Sequence, residues 1–424
     1  MSFTMDPTVD VAVTGIGITA PGGGDRESFW TAVRNGVVST GPLTAFDCSQ
    51  FGSQVAAQIA DEHIDADIDP SLDRMIRLAL TATREAQTDA SRGGDSTPSE
   101  MVAVCVGTAV GNSESLESDY VRLSRSGHTW DISPLGAPTR LQRMLFPSAV
   151  AAEVAREVSA RGPALTISTG CTSGIDALIN AAGLIRSGRA RVVVAGAADA
   201  PVTPISAACF DTIRATTRRN DSPETASRPF DKTRDGFVLA EGAAMLVLED
   251  GRHARDRGAR IYGYLNGSGR KANAYHMTGL KPDGIEMAAA FRRAMAQAGV
   301  GPADIDYVNA HGSGTAQNDR HETAAIKLAL GPHAQHVPVS SIKSMIGHSL
   351  GAIGSIEAAT CLLAIRDSFV PPTANLLNPD PQLDLDYVPV RGRSQRLRNI
   401  VTLASGFGGF QSALVIGNGP KETA

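Results

Sequence analysis

The chain has 424 residues, of which 42% are hydrophobic, and a formal net charge of −5. This length and apolar content suffice for two ordinary domains or one large duplicated one. The charge argues against non-specific nucleic-acid binding, and five cysteines without a C-x-x-C pair argue against a disulfide framework or a cysteine-rich zinc module.

The N-terminus has no basic segment followed by an apolar core, and no run approaches the roughly 18 apolar residues of a membrane-spanning helix. We therefore expect a soluble, cytoplasmic protein that uses neither a membrane nor a nucleic acid as partner.

The first half of the chain alternates strand and helix patterns. Apolar runs predict strands at residues 9–14, 101–107, 164–168, 191–197 and 245–248, and helical spacing predicts helices at 27–35, 72–90 and 175–185. The strand at 164–168 is expected to be buried. Residues 112–147 are polar and irregular, which is typical of an insertion or cap.

The first strand is followed by GIGITAPGGG, in which Gly15, Gly17 and Ala20 match the dinucleotide-binding pattern G-x-G-x-x-A. Pro21 and three glycines then occupy the place of the phosphate-binding helix. The motif lacks its structural context, so we reject a dinucleotide site.

The second half repeats the plan of the first. Strands are predicted at 260–265, 305–309, 337–342, 400–404 and 412–416, and helices at 284–298, 319–330 and 352–365. The matching order predicts an α/β protein made of a duplicated module, with helices packed between two sheets. We place the halves at residues 1–258, with a cap at about 45–147, and 259–424.

Cys171 lies where an apolar strand ends and an apolar helix begins, within TISTGCTSG. Backbone amides and the dipole at a helix N-terminus favour a thiolate, so a lowered thiol pKa and a nucleophilic role are expected. A buried structural cysteine remains the alternative on this stretch alone.

Two histidines occupy comparable positions. His311 follows a strand in NAHGSGT, and His348 precedes a helix in SIKSMIGHSLG. Ligands gather at the carboxyl ends of strands in open α/β sheets, so Cys171 and both histidines are expected to meet in one pocket. Lys343 adds a positive charge nearby, and Glu322 is its expected partner.

Three other chemistries compete with this interpretation. The segment Gly347–Gly351 fits the nucleophile elbow G-x-S-x-G, but no histidine follows Ser349 in the chain. A zinc site at the cysteine and the histidines lacks the usual short ligand spacings. A Cys-His hydrolase, with Glu322 or Asn309 orienting the imidazole, stays open.

The chain resembles the β-ketoacyl synthases of the thiolase superfamily nearly end to end. The resemblance rests on VTGIGITAPGG, STGCTSG, RPFDKTRDGFVLAEGAAMLVLE, NAYHMTG, NAHGSGT, SSIKSMIGHSLGAIGS, VPPTANL and GFGGF. It implies a thiolase fold with five layers, αβαβα, and a decarboxylative Claisen condensation. The reaction extends an acyl chain with a malonyl thioester and is expected to need no metal or redox cofactor. Both substrates are carried on the phosphopantetheine arm of acyl carrier protein.

By the same resemblance, Cys171 is the acyl-accepting nucleophile, and His311 and His348 complete a Cys-His-His triad supported by Lys343. Phe407 is expected to gate the acyl pocket and to supply, with the amide of Cys171, the oxyanion site. Two further residues are expected to touch the phosphopantetheine arm: Thr315, and Ser313, which stands where many relatives carry threonine.

Within this family, the chain resembles the catalytic ketosynthase chain of bacterial type II polyketide synthases most, on the evidence of STGCTSG, TAQNDRHETAA and GFGGFQ. That chain forms a heterodimer with a homologous chain length factor that lacks the cysteine, and the presence of Cys171 identifies this sequence as the catalytic member. The alternatives are a homodimeric 3-oxoacyl-carrier-protein synthase II of fatty-acid elongation and an inactive structural subunit. The presence of both histidines and Lys343 argues against an inactive subunit.

Overall fold

The computed structural model describes residue 6 and residues 8–92, 95–129 and 136–420. The strands are β1 Val11–Thr19, β2 Gly41–Pro42, β3 Val55–Ala57, β4 Val102–Gly107, β5 Ala164–Ile167, β6 Val192–Asp199, β7 Leu239–Ala240, β8 Gly242–Asp250, β9 Gly263–Ala272, β10 Tyr307–Asn309, β11 Val339–Ser340, β12 Phe369–Val370, β13 Arg393–Ser394, β14 Asn399–Gly406 and β15 Phe410–Gly417. The helices are α1 Arg26–Arg34, α2 Arg74–Asp89, α3 Ser113–Leu123, α4 Leu141–Leu145, α5 Ala149–Glu157, α6 Ser173–Arg186, α7 Pro204–Thr212, α8 Gly251–Asp256, α9 Ile285–Ala298, α10 Ala316–Leu330, α11 Lys343–Ile346 and α12 Ile353–Asp367.

Ten strands form one continuous sheet in the order β11-β10-β14-β15-β9-β1-β8-β6-β4-β5. Strands of the second half occupy one side and strands of the first half the other. The two sides join where β1 pairs antiparallel with β9, through Ala12 opposite Tyr264 and Val13 opposite Gly263. The outer strand pairs β4–β5 and β10–β11 are parallel. The two strands of each pair are therefore joined by a long crossover connection, which here contains helices.

Side chains alternate between the two faces of each strand, and this alternation builds five layers. On one outer face, α2 and α5 pack on β4, β6 and β8. On the other, α9 and α10 pack on β10, β14 and β15. Between them, α6 and α12 pack against the inward-facing residues of both sides of the sheet. The predicted duplicated α/β arrangement, with helices between two sheets, is confirmed, although hydrogen bonds join the two sheets at β1–β9.

The N-terminal ends of the two central helices touch through glycine. A Cβ on Gly174 would lie 2.5 Å from the backbone nitrogen of Ser355 and 2.9 Å from the carbonyl oxygen of Gly351. Real Cβ atoms do not approach backbone atoms so closely, and a larger residue here would push the helices apart. The glycine contact therefore brings the segments before α6 and α12 together, and these segments carry Cys171 and His348.

Two sequence expectations need correction. Strand β5 is not buried: it lies at one edge of the sheet, and Leu165 is 39% exposed. Its apolar composition had indicated the interior, because periodicity does not show that a strand lacks a neighbour. The polar region predicted as an irregular cap contains α3 and α4, while its residues 130–135 lie outside the described part.

Among the described residues, no helix is both long enough and apolar enough to cross a membrane.

Candidate active site

Cys171 lies in the tight connection between β5 and α6. Gly170 adopts a positive φ of +62°, which glycine tolerates without strain. The hydroxyl of Ser173 accepts a hydrogen bond from the amide of Thr169 at 2.9 Å and donates one to the carbonyl oxygen of Gly170 at 2.6 Å. The cysteine is thereby held two residues before the first residue of the helix, close to the predicted position.

The expected lowering of the thiol pKa is wrong for this structure. Burial raises the pKa of Cys171 to about 12, and the positive charge of Lys343 opposes that rise without overcoming it. The helix N-terminus also favours the anion, but the low-polarity surroundings penalise a bare charge more strongly. The thiol is therefore neutral at pH 7 and must lose its proton to a base as it reacts.

His311 follows β10 and is held by Glu322, a buried residue of α10. The Glu322 carboxylate accepts hydrogen bonds from the amide of His311 at 2.6 Å and the amide of Gly312 at 2.8 Å. Burial raises the pKa of Glu322 to about 8. Its two hydrogen bonds to backbone amides make Glu322 an anchor for the loop that carries the histidine.

The predicted pair between Lys343 and Glu322 is wrong, because Lys343 forms its ion pair with Glu357 of α12. The ammonium also donates to the carbonyl oxygen of His311 at 2.5 Å. Both charged side chains are almost fully enclosed, with side-chain exposures of 1% for Lys343 and 0% for Glu357. Glu322 meets the two backbone amides instead, so it is already engaged on the other side of the same loop.

Both histidines are held in the neutral form. Burial, reinforced by the positive charge of Lys343, keeps the pKa of His311 and the pKa of His348 well below the usual range. Their rings meet edge to face with centroids 5.2 Å apart. The Nδ1 atoms of both rings are buried and have no hydrogen-bond partner among the described residues. A neutral imidazole carries one N–H donor and one acceptor nitrogen, so each ring can donate or accept a proton.

Six of the predicted site residues line one small cavity: Cys171, His311, Ser313, Thr315, His348 and Phe407. The structure thus brings the cysteine, both histidines and the two hydroxyl residues together, whereas Lys343 and Glu322 lie behind the cavity wall. Ser313 and Thr315 are hydrogen-bonded through their hydroxyls at 3.0 Å, and Thr315 caps α10. The cavity has a volume of about 50 Å³, far below the several hundred Å³ of a typical ligand pocket.

Phe407 lies in the turn between β14 and β15, at the cavity and 40% exposed. Gly408 and Gly409 follow it with φ values of +87° and +84°, so the turn requires glycine at both positions. Gly406 packs tightly on the cysteine segment: a Cβ there would lie 3.1 Å from the carbonyl oxygen of Thr169 and 3.4 Å from the backbone nitrogen of Cys171. This proximity brings the backbone beside Phe407 up to the nucleophile.

Sequence reasoning missed several residues that build the site. Phe210 and Phe237 line the cavity, and Phe237 packs edge to face on His348 at 5.2 Å. Asp199, at the end of β6, accepts hydrogen bonds from the amides of Ala109 at 2.8 Å and Gly351 at 2.7 Å. One signal was available for Glu357, which is an isolated acidic residue in an otherwise apolar helical stretch.

Comparison with known protein families gives two adjoining matches. The model of the β-ketoacyl synthase N-terminal domain matches residues 8–254, and that of the β-ketoacyl synthase C-terminal domain matches residues 262–377. The tetracenomycin polyketide synthase ketoacyl synthase alpha subunit of Streptomyces glaucescens is 50% identical over 417 residues, covering 97% of this chain and 98% of that protein. The 3-oxoacyl-[acyl-carrier-protein] synthase 2 of Coxiella burnetii is 37% identical over 410 residues, covering 96% of this chain and 98% of that protein.

Two solved structures share the fold over nearly the whole chain. A chain from a type II polyketide synthase acyl-carrier protein in complex with its ketosynthase superposes with a TM-score of 0.92 at 35% identity, covering 97% of this chain and 100% of that one. A chain of the ishigamide ketosynthase/chain length factor gives a TM-score of 0.89 at 31% identity, with the same coverage. The thiolase fold implied by the sequence motifs is confirmed. The chain belongs to the β-ketoacyl synthase family, the condensing acyltransferases.

Proposed function

We propose that this chain is the catalytic ketosynthase of a type II polyketide synthase, and that it builds a β-ketoacyl chain on acyl carrier protein. The observation that carries the proposal is the meeting of Cys171, His311 and His348 around one cavity, with both imidazoles neutral. Identity of 50% to a polyketide ketosynthase, against 37% to a fatty-acid synthase 2, favours the polyketide pathway over fatty-acid elongation.

In the first step, the Cys171 sulfur attacks the thioester carbonyl of a carrier-bound acyl chain. The thiol proton passes to a neutral histidine, the carbon–sulfur bond of the thioester breaks, and the carrier thiol leaves protonated. The amides of Cys171 and Phe407 hold the negative oxygen of the tetrahedral intermediate. The close approach of Gly406 to the cysteine segment supports this pairing of amides.

In the second step, a malonyl thioester loses CO2 to form an enolate, which attacks the acyl-cysteine; the acyl–sulfur bond breaks, and the Cys171 thiolate that leaves takes a proton from solvent to restore the neutral thiol. His311 and His348 donate N–H groups to the thioester oxygen where the enolate charge develops. Burial, reinforced by the Lys343 charge, keeps both imidazoles neutral between turnovers, so a histidine is free to accept the thiol proton in the first step. These steps use no metal or redox cofactor.

Replacing either histidine by alanine should lower malonyl decarboxylation by about 100-fold, the size of effect seen when one donor to a developing oxyanion is removed. The measurement is release of labelled CO2 from malonyl carrier protein. His336→Ala, at an exposed histidine that does not line the cavity, is the matched control. Unchanged CO2 release in both histidine variants would contradict their assignment.

Ser313 and Thr315 are proposed to contact the phosphopantetheine arm, since both hydroxyls line the cavity that the arm must enter. Phe407 is proposed to gate the acyl space, because the cavity of about 50 Å³ is too small for a growing chain until the glycine-rich turn moves.

The partners proposed are acyl carrier protein and a homologous chain length factor. The uncovered edge of β5, with Leu165 exposed, leaves backbone groups open for pairing with a second chain. Two structural neighbours were solved as a complex with an acyl-carrier protein and as a ketosynthase/chain length factor. The proposed halves are 1–258 and 259–424, and the proposed location is the cytoplasm.

Expression with a cysteine-lacking homologue and an acyl carrier protein should yield a stable heterodimer that converts malonyl carrier protein into carrier-bound poly-β-keto chains. Mass spectrometry of the carrier and size-exclusion chromatography of the synthase measure both outcomes. A stable homodimer that extends saturated acyl chains without the homologue would instead support the fatty-acid alternative.

A further inference from the structure

Asp176, in the first turn of α6, has a buried carboxylate that gathers three hydroxyl groups. Its side chain accepts hydrogen bonds from Thr169 at 2.7 Å, from Thr172 at 2.9 Å and from Ser412 at 2.8 Å. Asp176 itself is 3% exposed. None of the steps described above uses this residue.

Two of the three hydroxyls flank the nucleophile. Thr169 and Thr172 stand on either side of Cys171 and donate to the same carboxylate oxygen, and the single Thr172 hydroxyl proton is shared between that oxygen and the carbonyl oxygen of Thr169, each 2.9 Å away. The carboxylate therefore closes the backbone around Cys171 into a small ring of hydrogen bonds. Rotation of this segment would break at least one of them.

The third hydroxyl belongs to the strand that leaves the Phe407 turn. Ser412 of β15 pairs with Ala404 of β14, and the turn at 407–409 connects these two strands. One residue nearer the turn, the side-chain amide of Gln411 donates to the Ser405 hydroxyl at 3.0 Å, and Ser405 lines the cavity. Asp176 thus links the nucleophile segment to the base of the turn that carries Phe407.

We propose that Asp176 is a positioning residue that keeps the backbone amides of Cys171 and Phe407 in register as one oxyanion site; the inference rests on the proposed acyl transfer at Cys171. The two amides come from different halves of the fold, so nothing in local helix or turn geometry fixes their spacing. A charged carboxylate accepts hydroxyl hydrogen bonds strongly, and its two oxygens point to the two segments separately. Without the hydrogen bonds to Thr169 and Thr172, or without the one to Ser412, the two segments can shift relative to each other. A shift of roughly 1 Å is enough to slow catalysis.

The test compares two reactions of the same thiol. Acyl transfer from an acyl thioester needs the oxyanion site, whereas alkylation of Cys171 by iodoacetamide forms no oxyanion. Asp176→Asn should slow acyl transfer by about 10- to 100-fold, as expected when reacting groups are misplaced by roughly 1 Å, and should leave the alkylation rate unchanged. The loss should appear in kcat, with the KM for acyl carrier protein preserved.

Ser412→Ala isolates the arm to the Phe407 turn and should reproduce the loss, because it frees that turn without touching the cysteine segment. It removes one hydrogen bond, so it supplies the test if Asp176→Asn does not fold. Ser268→Ala on neighbouring β9, whose hydroxyl donates to Gln297 at 3.0 Å, is the matched control and should behave as the wild type.

Equal acyl-transfer rates in the wild type and both variants would overturn the positioning role. A parallel loss of alkylation and acyl transfer, accompanied by a lower Tm, would show a general structural role and overturn it equally. Failure of the wild-type protein to accept an acyl group at a Cys171 that alkylates normally would instead overturn the proposed function.

Discussion

Replacing Cys171 by alanine is expected to abolish acyl loading and chain extension, reducing both to background. The sulfur forms the covalent bond that holds the chain between the two steps, and among the residues that the structure describes no other cysteine lines the cavity. Mass spectrometry of the intact protein after incubation with an acyl thioester measures loading directly. The alanine variant should keep the Tm of the wild type, since a smaller side chain at the cavity wall removes little packing.

Cys209→Ala provides the control for this experiment. Cys209 is exposed on α7, one residue before Phe210 of the cavity, so non-specific acylation would appear there first. The control variant should load and extend normally. Persistent acylation of the Cys171→Ala protein would refute the nucleophile assignment, whatever the activity of the control.

Breaking the buried pair between Lys343 and Glu357 should produce the largest loss of stability. Glu357→Gln leaves the Lys343 ammonium enclosed without its counter-charge, which costs roughly 3–5 kcal/mol of unfolding free energy for such pairs. Urea unfolding followed by circular dichroism measures the change. Removing both charges together, in Lys343→Met with Glu357→Leu, should recover much of that loss because no unpaired charge remains.

The exposed pair between Lys327 and Asp384 offers a matched comparison, with side-chain exposures of 37% and 56%. Lys327→Met should change the unfolding free energy by about 1 kcal/mol or less, since water already solvates both charges. A loss in Glu357→Gln no larger than in Lys327→Met would contradict the assigned cost of burial.

The double variant of Lys343→Met with Glu357→Leu should also have impaired decarboxylation even where its stability recovers, because Lys343 lowers the pKa of both histidines.

The convergence of Cys171, His311 and His348 could be predicted from sequence because it depends on chain order. Each residue follows a strand in a repeated α/β plan, and the carboxyl ends of such strands meet. The burial of the central helices could be predicted as well, since α6 and α12 are apolar on most sides and contain few charged residues. The family motifs then supplied the reaction, which spacing alone leaves open between a condensation and a hydrolysis.

What sequence could not give depends on distances between segments far apart in the chain. Glu322 and Glu357 lie 21 and 14 positions from Lys343, and nothing in that spacing shows which carboxylate faces the ammonium. Whether the pKa of Cys171 is raised or lowered also depends on how much water reaches the thiol. The position of the thiol at a helix N-terminus does not show how much water reaches it. The exposure of β5 depends on what covers its edge of the sheet, since β11 at the opposite edge is buried.

The shared central layer constrains how the protein can be made. In the folded protein α12 and β15 cover one face of α6, and both are synthesised after the first half, so a first half that folds early leaves this face bare. We expect that intermediate to bind chaperones until more than 100 further residues have emerged. Expressing residues 1–258 alone tests this: the fragment should aggregate unless residues 259–424 are co-expressed, and a soluble, cooperatively folded fragment would contradict the expectation.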